Sequence, residues 1–155
     1  MEIKEKPLTS VMEDYLEAIY DLDKEQKAVR VRDIARKMDV RMPSVTSMLR
    51  SLKERELVYY EKYEYVELTE RGEDIGREMR RRHGIIREFL TEILKIDYKT
   101  ADEDACRIEH TLSPQTVNSL TDFMNFIQKC PLGEERMKYF EEYQKRIRKE
   151  AEEDI

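Results

Sequence analysis

Three side chains that commonly bind transition metals stand close together in the segment CRIEH, at Cys106, Glu109 and His110. If the segment is helical, their spacing of i, i+3 and i+4 places all three on one face. Thiolate, carboxylate and imidazole groups all bind divalent transition metals, and one ion could contact the three without distorting a helix. The segment therefore predicts part of a metal site.

Further candidate ligands lie elsewhere in the chain. Asp14 and Glu17, at i and i+3, form a compact acidic pair, and His83 is the only histidine besides His110. A simpler interpretation treats these features as a solvated acidic helix face, a small buried cysteine and a Glu–His pair bonded to water. The use of every histidine in the chain favours the metal site, which would collect ligands from several elements.

The candidate ligands must be positioned by the surrounding elements, and most of the chain has the periodicity of α-helices. Apolar residues at helical spacing predict helices over 10–24, 31–38, 70–94, 100–111 and 114–129, a third helix near Pro43 and a charged C-terminal helix. Ser10 and Thr100, each followed by a glutamate three residues later, predict capping boxes, and Ser113 predicts a cap for the helix that starts at Pro114.

A change of period follows the third helix. Residues 57–69 (LVYYEKYEYVELT) alternate loosely and are rich in Val and Tyr, which predicts a short β-hairpin with Lys62 and Tyr63 at its tip. Three helices followed by a hairpin are typical of a winged helix-turn-helix. We therefore predict a mainly α protein, with a winged helix-turn-helix over residues 1–72 and an all-helical second domain over 73–155.

The charge of the chain is distributed unevenly. The formal net charge is −6, yet residues 27–62 hold ten basic and five acidic residues, a net charge of +5 against −11 elsewhere. Contact with DNA phosphates requires such a basic segment, and small hydroxyl side chains let a recognition helix lie deep in the major groove. A solvated basic face is the alternative, but the order of helices and hairpin favours double-stranded DNA. The predicted DNA-contacting residues are Arg41, Pro43, Ser44, Thr46, Ser47, Arg50, Lys62 and Tyr63.

Several classes of protein are excluded. No apolar run approaches the about 18 residues that a membrane helix needs, and the N-terminus lacks the apolar core of a signal peptide. Without such a run we expect no membrane partner. Two cysteines cannot form a disulfide framework, which favours the reduced cytoplasm. The chain contains no HExxH motif and no Gly-rich phosphate loop, so we expect no enzyme such as a metallohydrolase.

Six segments in collinear order carry a family resemblance: MEDYLEAIY (12–20), RVRDIARKMDVRMPSVTSMLRSL (30–52), YYEKY (59–63), LTERG (68–72), RRHGIIREFL (81–90) and DEDACRIEHTLS (102–113). Through them the chain resembles the diphtheria toxin repressor and manganese transport regulator family of metal-dependent transcription repressors. The resemblance implies a winged helix-turn-helix followed by a helical dimerisation domain, in the short form without an SH3-like domain. It also implies a homodimer that binds a palindromic operator and responds to Mn²⁺ or Fe²⁺, with Co²⁺, Ni²⁺, Zn²⁺ or Cd²⁺ as substitutes.

The resemblance also implies a set of metal ligands, which are Asp14, Glu17, His83, Cys106, Glu109 and His110. Manganese-type members have glutamate at the position of Cys106, where iron-type members have cysteine. The ancillary site of iron-type members is incomplete here, since Arg87 and Asp102 replace a glutamate and a histidine. Oxygen ligands suit Mn²⁺ and a thiolate suits Fe²⁺, Co²⁺ or Zn²⁺, so the ligands alone do not select the metal.

The implied mechanism is that metal ties the DNA-binding domain to the dimer core and thereby favours operator binding. The alternative is a metal-independent winged-helix regulator in which Cys106 senses oxidants, because an accessible thiolate oxidises readily.

Overall fold

The computed structural model describes residues 7–62 and 65–153, except for the side chain of residue 153. These residues form two compact units, the first ending at Arg81 and the second beginning at Arg82. Helices dominate both units, as predicted. The functional division between residues 72 and 73 stays a prediction. None of the described helices is both long enough and apolar enough to span a bilayer.

The first unit is the predicted winged helix-turn-helix. It contains α1 (Ser10–Glu25), α2 (Val31–Met38) and α3 (Met42–Glu54), followed by the antiparallel strands β1 (Val58–Tyr59) and β2 (Glu67–Leu68). The apolar stripes of the three helices meet in one core, because each helix buries the face on which its Leu, Ile and Val residues recur. Fully buried members of this core include Leu16, Ile19, Ile34, Val45, Leu49 and Leu52.

The wing, the hairpin formed by β1 and β2, is attached to the start of α2. The backbone N–H of Val66 donates to the carbonyl of Val29 at 2.8 Å. Next to this bridge, the Arg30 guanidinium donates to the Tyr65 hydroxyl at 2.9 Å and lies 4.9 Å from the centre of its ring. The returning side of the wing, between its tip and β2, is therefore held by backbone and side-chain contacts together.

Helix α4 (Glu70–Glu88) approaches α1 closely at Gly76. A Cβ atom at Gly76 would lie 2.6 Å from the carbonyl oxygen of Leu16 and 2.9 Å from Cβ of Tyr20. Only glycine permits this distance between the two helices. The α-helix predicted over 70–94 is wrong at its end, because residues Phe89–Ile93 form a π-helical turn in which Leu94 N–H donates to the Phe89 carbonyl.

The second unit continues with α5 (Tyr98–Ile108), α6 (Pro114–Lys129) and α7 (Gly133–Glu153). Ser113 caps α6 as predicted, since its hydroxyl accepts from Thr116 N–H at 3.2 Å. The capping boxes predicted at Ser10 and Thr100 are wrong. Helix α1 is capped by Thr9, and α5 is capped by Asp97, whose carboxylate accepts from Thr100 N–H at 3.0 Å.

Candidate metal centre and nucleic-acid interface

The segment CRIEH does not lie wholly on one helix, which corrects the prediction. Helix α5 ends at Ile108, Glu109 is its C-cap and His110 lies in the turn that follows. Glu109 nevertheless keeps helical dihedral angles, φ −54° and ψ −32°, and its N–H donates to the Ala105 carbonyl at 3.0 Å. The chain turns at His110 because Thr111 N–H donates to the Ile108 carbonyl instead of continuing the helical ladder.

Glu109 is the most deeply buried ionisable residue of the described part of the chain, with no exposed surface. Its Oε2 atom lies 2.8 Å from Nδ1 of His83, which is also buried. Its Oε1 atom lies 3.4 Å from Nε2 of His110 but accepts no hydrogen bond from any described residue. A buried carboxylate oxygen without a donor is costly, and a bound cation would remove that cost. Two imidazoles and this carboxylate are therefore a donor set that fits a divalent transition metal.

A second carboxylate contacts the other side of His83. Nε2 of His83 lies 2.8 Å from Oδ1 of Asp102, and Nη1 of Arg87 donates to the same oxygen at 2.8 Å. The Arg87 guanidinium, and after it His83, lowers the pKa of Asp102 below its usual range. Sequence reasoning missed these contacts. The spacing of His83 from Arg87 by four residues, and of Asp102 from Glu109 by seven, places each pair on one helix face but does not show that the two faces meet.

Cys106 is an exposed residue of α5, and its thiol forms no disulfide. It lies in the last turn of α5, three residues before the C-cap residue Glu109.

Asp14 and Glu17 both lie on α1, in the first unit, and each is partly buried. The Glu17 side chain is 13% exposed and its Oε1 lies 3.9 Å from Nη1 of Arg80. Arg80 also pairs with Asp21 at 3.4 Å. The acidic pair is therefore more buried than the solvated acidic face of the simpler interpretation.

Helix α3 and its N-cap residue Arg41 hold six of the residues predicted to contact DNA. Five of them are exposed, namely Arg41, Pro43, Ser44, Ser47 and Arg50, and Thr46 is partly buried. The opposite face is buried in the core, which fixes the orientation of the exposed face. Lys62 is exposed in the turn after β1, and Tyr63 lies outside the described residues.

Two domains of one protein family match consecutive parts of the chain. Residues 7–66 match the iron dependent repressor N-terminal DNA binding domain. Residues 69–138 match the iron dependent repressor metal binding and dimerisation domain.

Proteins similar in sequence match most of the chain. It is 36% identical over 118 residues to an uncharacterized HTH-type transcriptional regulator of Methanocaldococcus jannaschii, covering 76% of this chain and 94% of that protein. It is 37% identical over 120 residues to the HTH-type transcriptional regulator MntR of Bacillus subtilis, covering 77% and 84%.

Solved structures are similar over the same region. The manganese regulator SloR matches with a TM-score of 0.67 and 33% identity over 74% of this chain. ScaR with bound Zn²⁺ matches with a TM-score of 0.61 and 31% identity over 79%. The chain spans 54% of the SloR chain and 57% of the ScaR chain, about half of each. With a winged helix-turn-helix, a helical second unit and these relatives, the chain belongs to the iron-dependent repressor family of DNA-binding transcription repressors, the diphtheria toxin repressor and manganese transport regulator family.

Proposed function

We propose that this chain is a repressor activated by a divalent transition metal, and that the metal is Mn²⁺ or Fe²⁺. The observation that carries the proposal is the fully buried Glu109, whose Oε1 has no donor among the described residues while two histidines lie beside the carboxylate. A site built this way is more stable with a cation than without one. Among the similar structures, SloR is described as a manganese regulator and a structure of ScaR contains bound Zn²⁺, which supports a transition metal here.

The proposed ligands extend beyond this cluster. They are Asp14, Glu17, His83, Cys106, Glu109 and His110. Family membership supports this set, as does the chemistry of its donors, which are carboxylate oxygens, imidazoles and one thiolate. The thiolate would let Co²⁺, Ni²⁺, Zn²⁺ or Cd²⁺ replace the native metal.

Ligands drawn from both units would couple metal binding to DNA binding. Without metal, the carboxylates of Asp14, Glu17 and Glu109 would repel one another, which disfavours the conformation that binds the operator. A shift of that conformation from 1% to 99% requires about 5.5 kcal/mol of preferential binding, which several metal–ligand bonds can supply. We propose a homodimer that presents two α3 helices to a palindromic operator, with half-sites about 34–36 Å apart or a multiple of that.

As a regulator that binds chromosomal DNA, the protein would be located in the cytoplasm. It would not be an enzyme. Its DNA-contacting residues would be Lys62 in the turn after β1, Tyr63, and six residues on α3 or at its N-cap, which are Arg41, Pro43, Ser44, Thr46, Ser47 and Arg50.

The test is operator binding with and without metal. Operator duplexes are first selected from a random pool in the presence of Mn²⁺, and Kd is then measured in Mn²⁺, Fe²⁺, Zn²⁺ and a chelator. We expect at least a 100-fold tighter Kd with the native metal and loss of this gain in Glu109→Ala. Glu103→Ala, which removes an exposed carboxylate of α5, is the matched control. Equal affinity in chelator and metal would refute the proposal.

The same assay distinguishes the redox alternative. If Cys106 instead senses oxidants without metal, peroxide would change operator affinity in the wild type and not in Cys106→Ser, while metal would have no effect in either.

A further inference from the structure

We infer that Asp102 is a positioning residue for His83, which it orients so that Nδ1 is the nitrogen that binds the metal. The inference rests on the proposed function and deepens it, because it assigns the role of a residue outside the proposed ligand set.

The starting observation is that the His83 ring lies between two carboxylates. Nε2 lies 2.8 Å from Asp102 Oδ1, and Nδ1 lies 2.8 Å from Glu109 Oε2. A histidine that binds a metal uses the lone pair of one ring nitrogen and donates the N–H of the other, usually to a carboxylate or a carbonyl. One of the two carboxylates must therefore accept this N–H, and the other lies on the side of the metal.

The surroundings of the two carboxylates decide between them. Asp102 already has a cationic partner, because Arg87 donates to its Oδ1 at 2.8 Å, and its side chain is 42% exposed. Glu109 is fully buried, and its Oε1 lacks a donor among the described residues. Asp102 thus has a permanent cation beside it without a metal, whereas the Glu109 carboxylate lies beside two histidines that are themselves proposed ligands. The N–H of His83 consequently belongs on Nε2, and the lone pair of Nδ1 is on the side of Glu109.

Helix geometry fixes this arrangement. His83 and Arg87 are one turn apart on α4, so both can reach Asp102, which lies in the middle of α5. Asp102 and Glu109 are seven residues apart, about two turns, and therefore share one face. The two carboxylates of that face contact the two ring nitrogens of His83.

The experiment uses the full-length chain with ¹⁵N-labelled histidine and Zn²⁺ as the probe. Two-bond ¹H–¹⁵N correlations of the ring identify the nitrogen that binds Zn²⁺ and the nitrogen that carries hydrogen. We expect Zn²⁺ on Nδ1 of His83 and hydrogen on Nε2. Zn²⁺ affinity, measured against a competing chelator, should fall by about 10- to 100-fold in Asp102→Ala, the usual effect of losing such a partner.

Two further variants separate positioning from folding. Asp102→Asn keeps an oxygen that can accept from Nε2–H, so it should recover part of the affinity and retain Zn²⁺ on Nδ1. Asp104→Ala removes a carboxylate of the same helix that pairs with Arg107, and it should bind Zn²⁺ like the wild type. Zn²⁺ on Nε2, or wild-type affinity in Asp102→Ala, would overturn this inference and leave the proposed function standing. A wild-type chain whose His83 does not respond to Zn²⁺ would overturn both.

Discussion

His83 Nδ1 lies 2.8 Å from Glu109 Oε2, and both side chains are buried although both are ionisable. The pair joins α4 to the end of α5 within the second unit, and it leaves the other oxygen of Glu109 without a donor among the described residues. A buried carboxylate oxygen without a donor lowers the stability of the folded chain, and a bound cation would remove that cost.

The first prediction concerns Glu109→Gln. A neutral amide of the same shape costs less to bury than a carboxylate but binds a cation poorly. We expect the metal-free variant to be at least as stable as the wild type. Wild-type protein should gain about 2.7 kcal/mol at a metal concentration 100 times Kd, and the variant should gain none. Denaturant unfolding with metal or chelator measures this, with Glu103→Gln as control. Equal stabilisation of the variant by metal would contradict the role of Glu109.

A second prediction concerns metal preference. Replacing the thiolate of Cys106 by a carboxylate removes the soft ligand and leaves oxygen and imidazole donors. We expect Cys106→Glu to weaken Zn²⁺ binding at least 10-fold relative to Mn²⁺, measured by chelator competition with each metal. Cys130→Ser, at the other cysteine, is the control. An unchanged Zn²⁺ to Mn²⁺ ratio would exclude Cys106 from the ligands.

Helix α3 supports a third prediction. Arg50→Ala should weaken binding to all duplexes similarly and reduce the salt slope by about one, because a phosphate contact is sequence-independent. Ser44→Ala should instead reduce discrimination at one operator position and leave the salt slope unchanged. Fluorescence anisotropy at several salt concentrations separates the two effects. Arg77→Ala, at a residue of α4 that pairs with Asp74, should behave like the wild type.

The close approach of α4 to α1 gives a fourth prediction. Gly76→Ala places a Cβ 2.6 Å from the Leu16 carbonyl and should destabilise the chain by about 1–3 kcal/mol, the usual cost of overpacking. Gly84→Ala introduces a Cβ with no described atom within 4 Å and should stabilise α4 by about 0.5–1 kcal/mol. Urea unfolding followed by circular dichroism compares them. An unchanged free energy of unfolding in Gly76→Ala would mean that α4 and α1 can move apart with little loss of stability.

The cap of α5 gives a pH-dependent prediction. Hydrogen bonds from Thr100, first its side chain and then its backbone, lower the pKa of Asp97 from 3.8. A lowered folded pKa gives stability that is present above the unfolded pKa and is lost as the pH falls through the folded value. Asp97→Ala should therefore be less stable than the wild type at pH 7, and this difference should shrink towards pH 3. Asp97→Asn keeps an oxygen acceptor and should show the smaller loss at pH 7 in thermal melts.

Sequence periodicity predicted the helices and the hairpin because each depends on local patterns of apolar residues. It placed α2 at its observed ends and predicted the cap of α6 from Ser113 and Pro114. It misplaced the caps of α1 and α5, since a second oxygen-bearing residue, Thr9 or Asp97, stands within a few positions of the predicted one. A capping pattern does not reveal which of two neighbouring residues has extended backbone.

The candidate site was less predictable than the fold. Spacing within one segment identified Glu109 and His110, but the end of α5 depends on which backbone hydrogen bond forms after Ile108. The contact of Asp102 with His83 joins residues 19 positions apart on different helices. Local periodicity carries no distance between two helices, so this contact required the three-dimensional structure.

The attachment of Tyr65 to Arg30 has a consequence for DNA recognition. Tyr65 and Val66 of the wing are ordered before a duplex arrives, because a hydrogen bond, a cation–π contact and a β-bridge already hold them. Ordering one flexible side chain on binding costs about 0.5–1.5 kcal/mol, and that entropy is lost here during folding instead. A duplex therefore meets a wing in which Tyr65 is already ordered, so binding loses less side-chain entropy there.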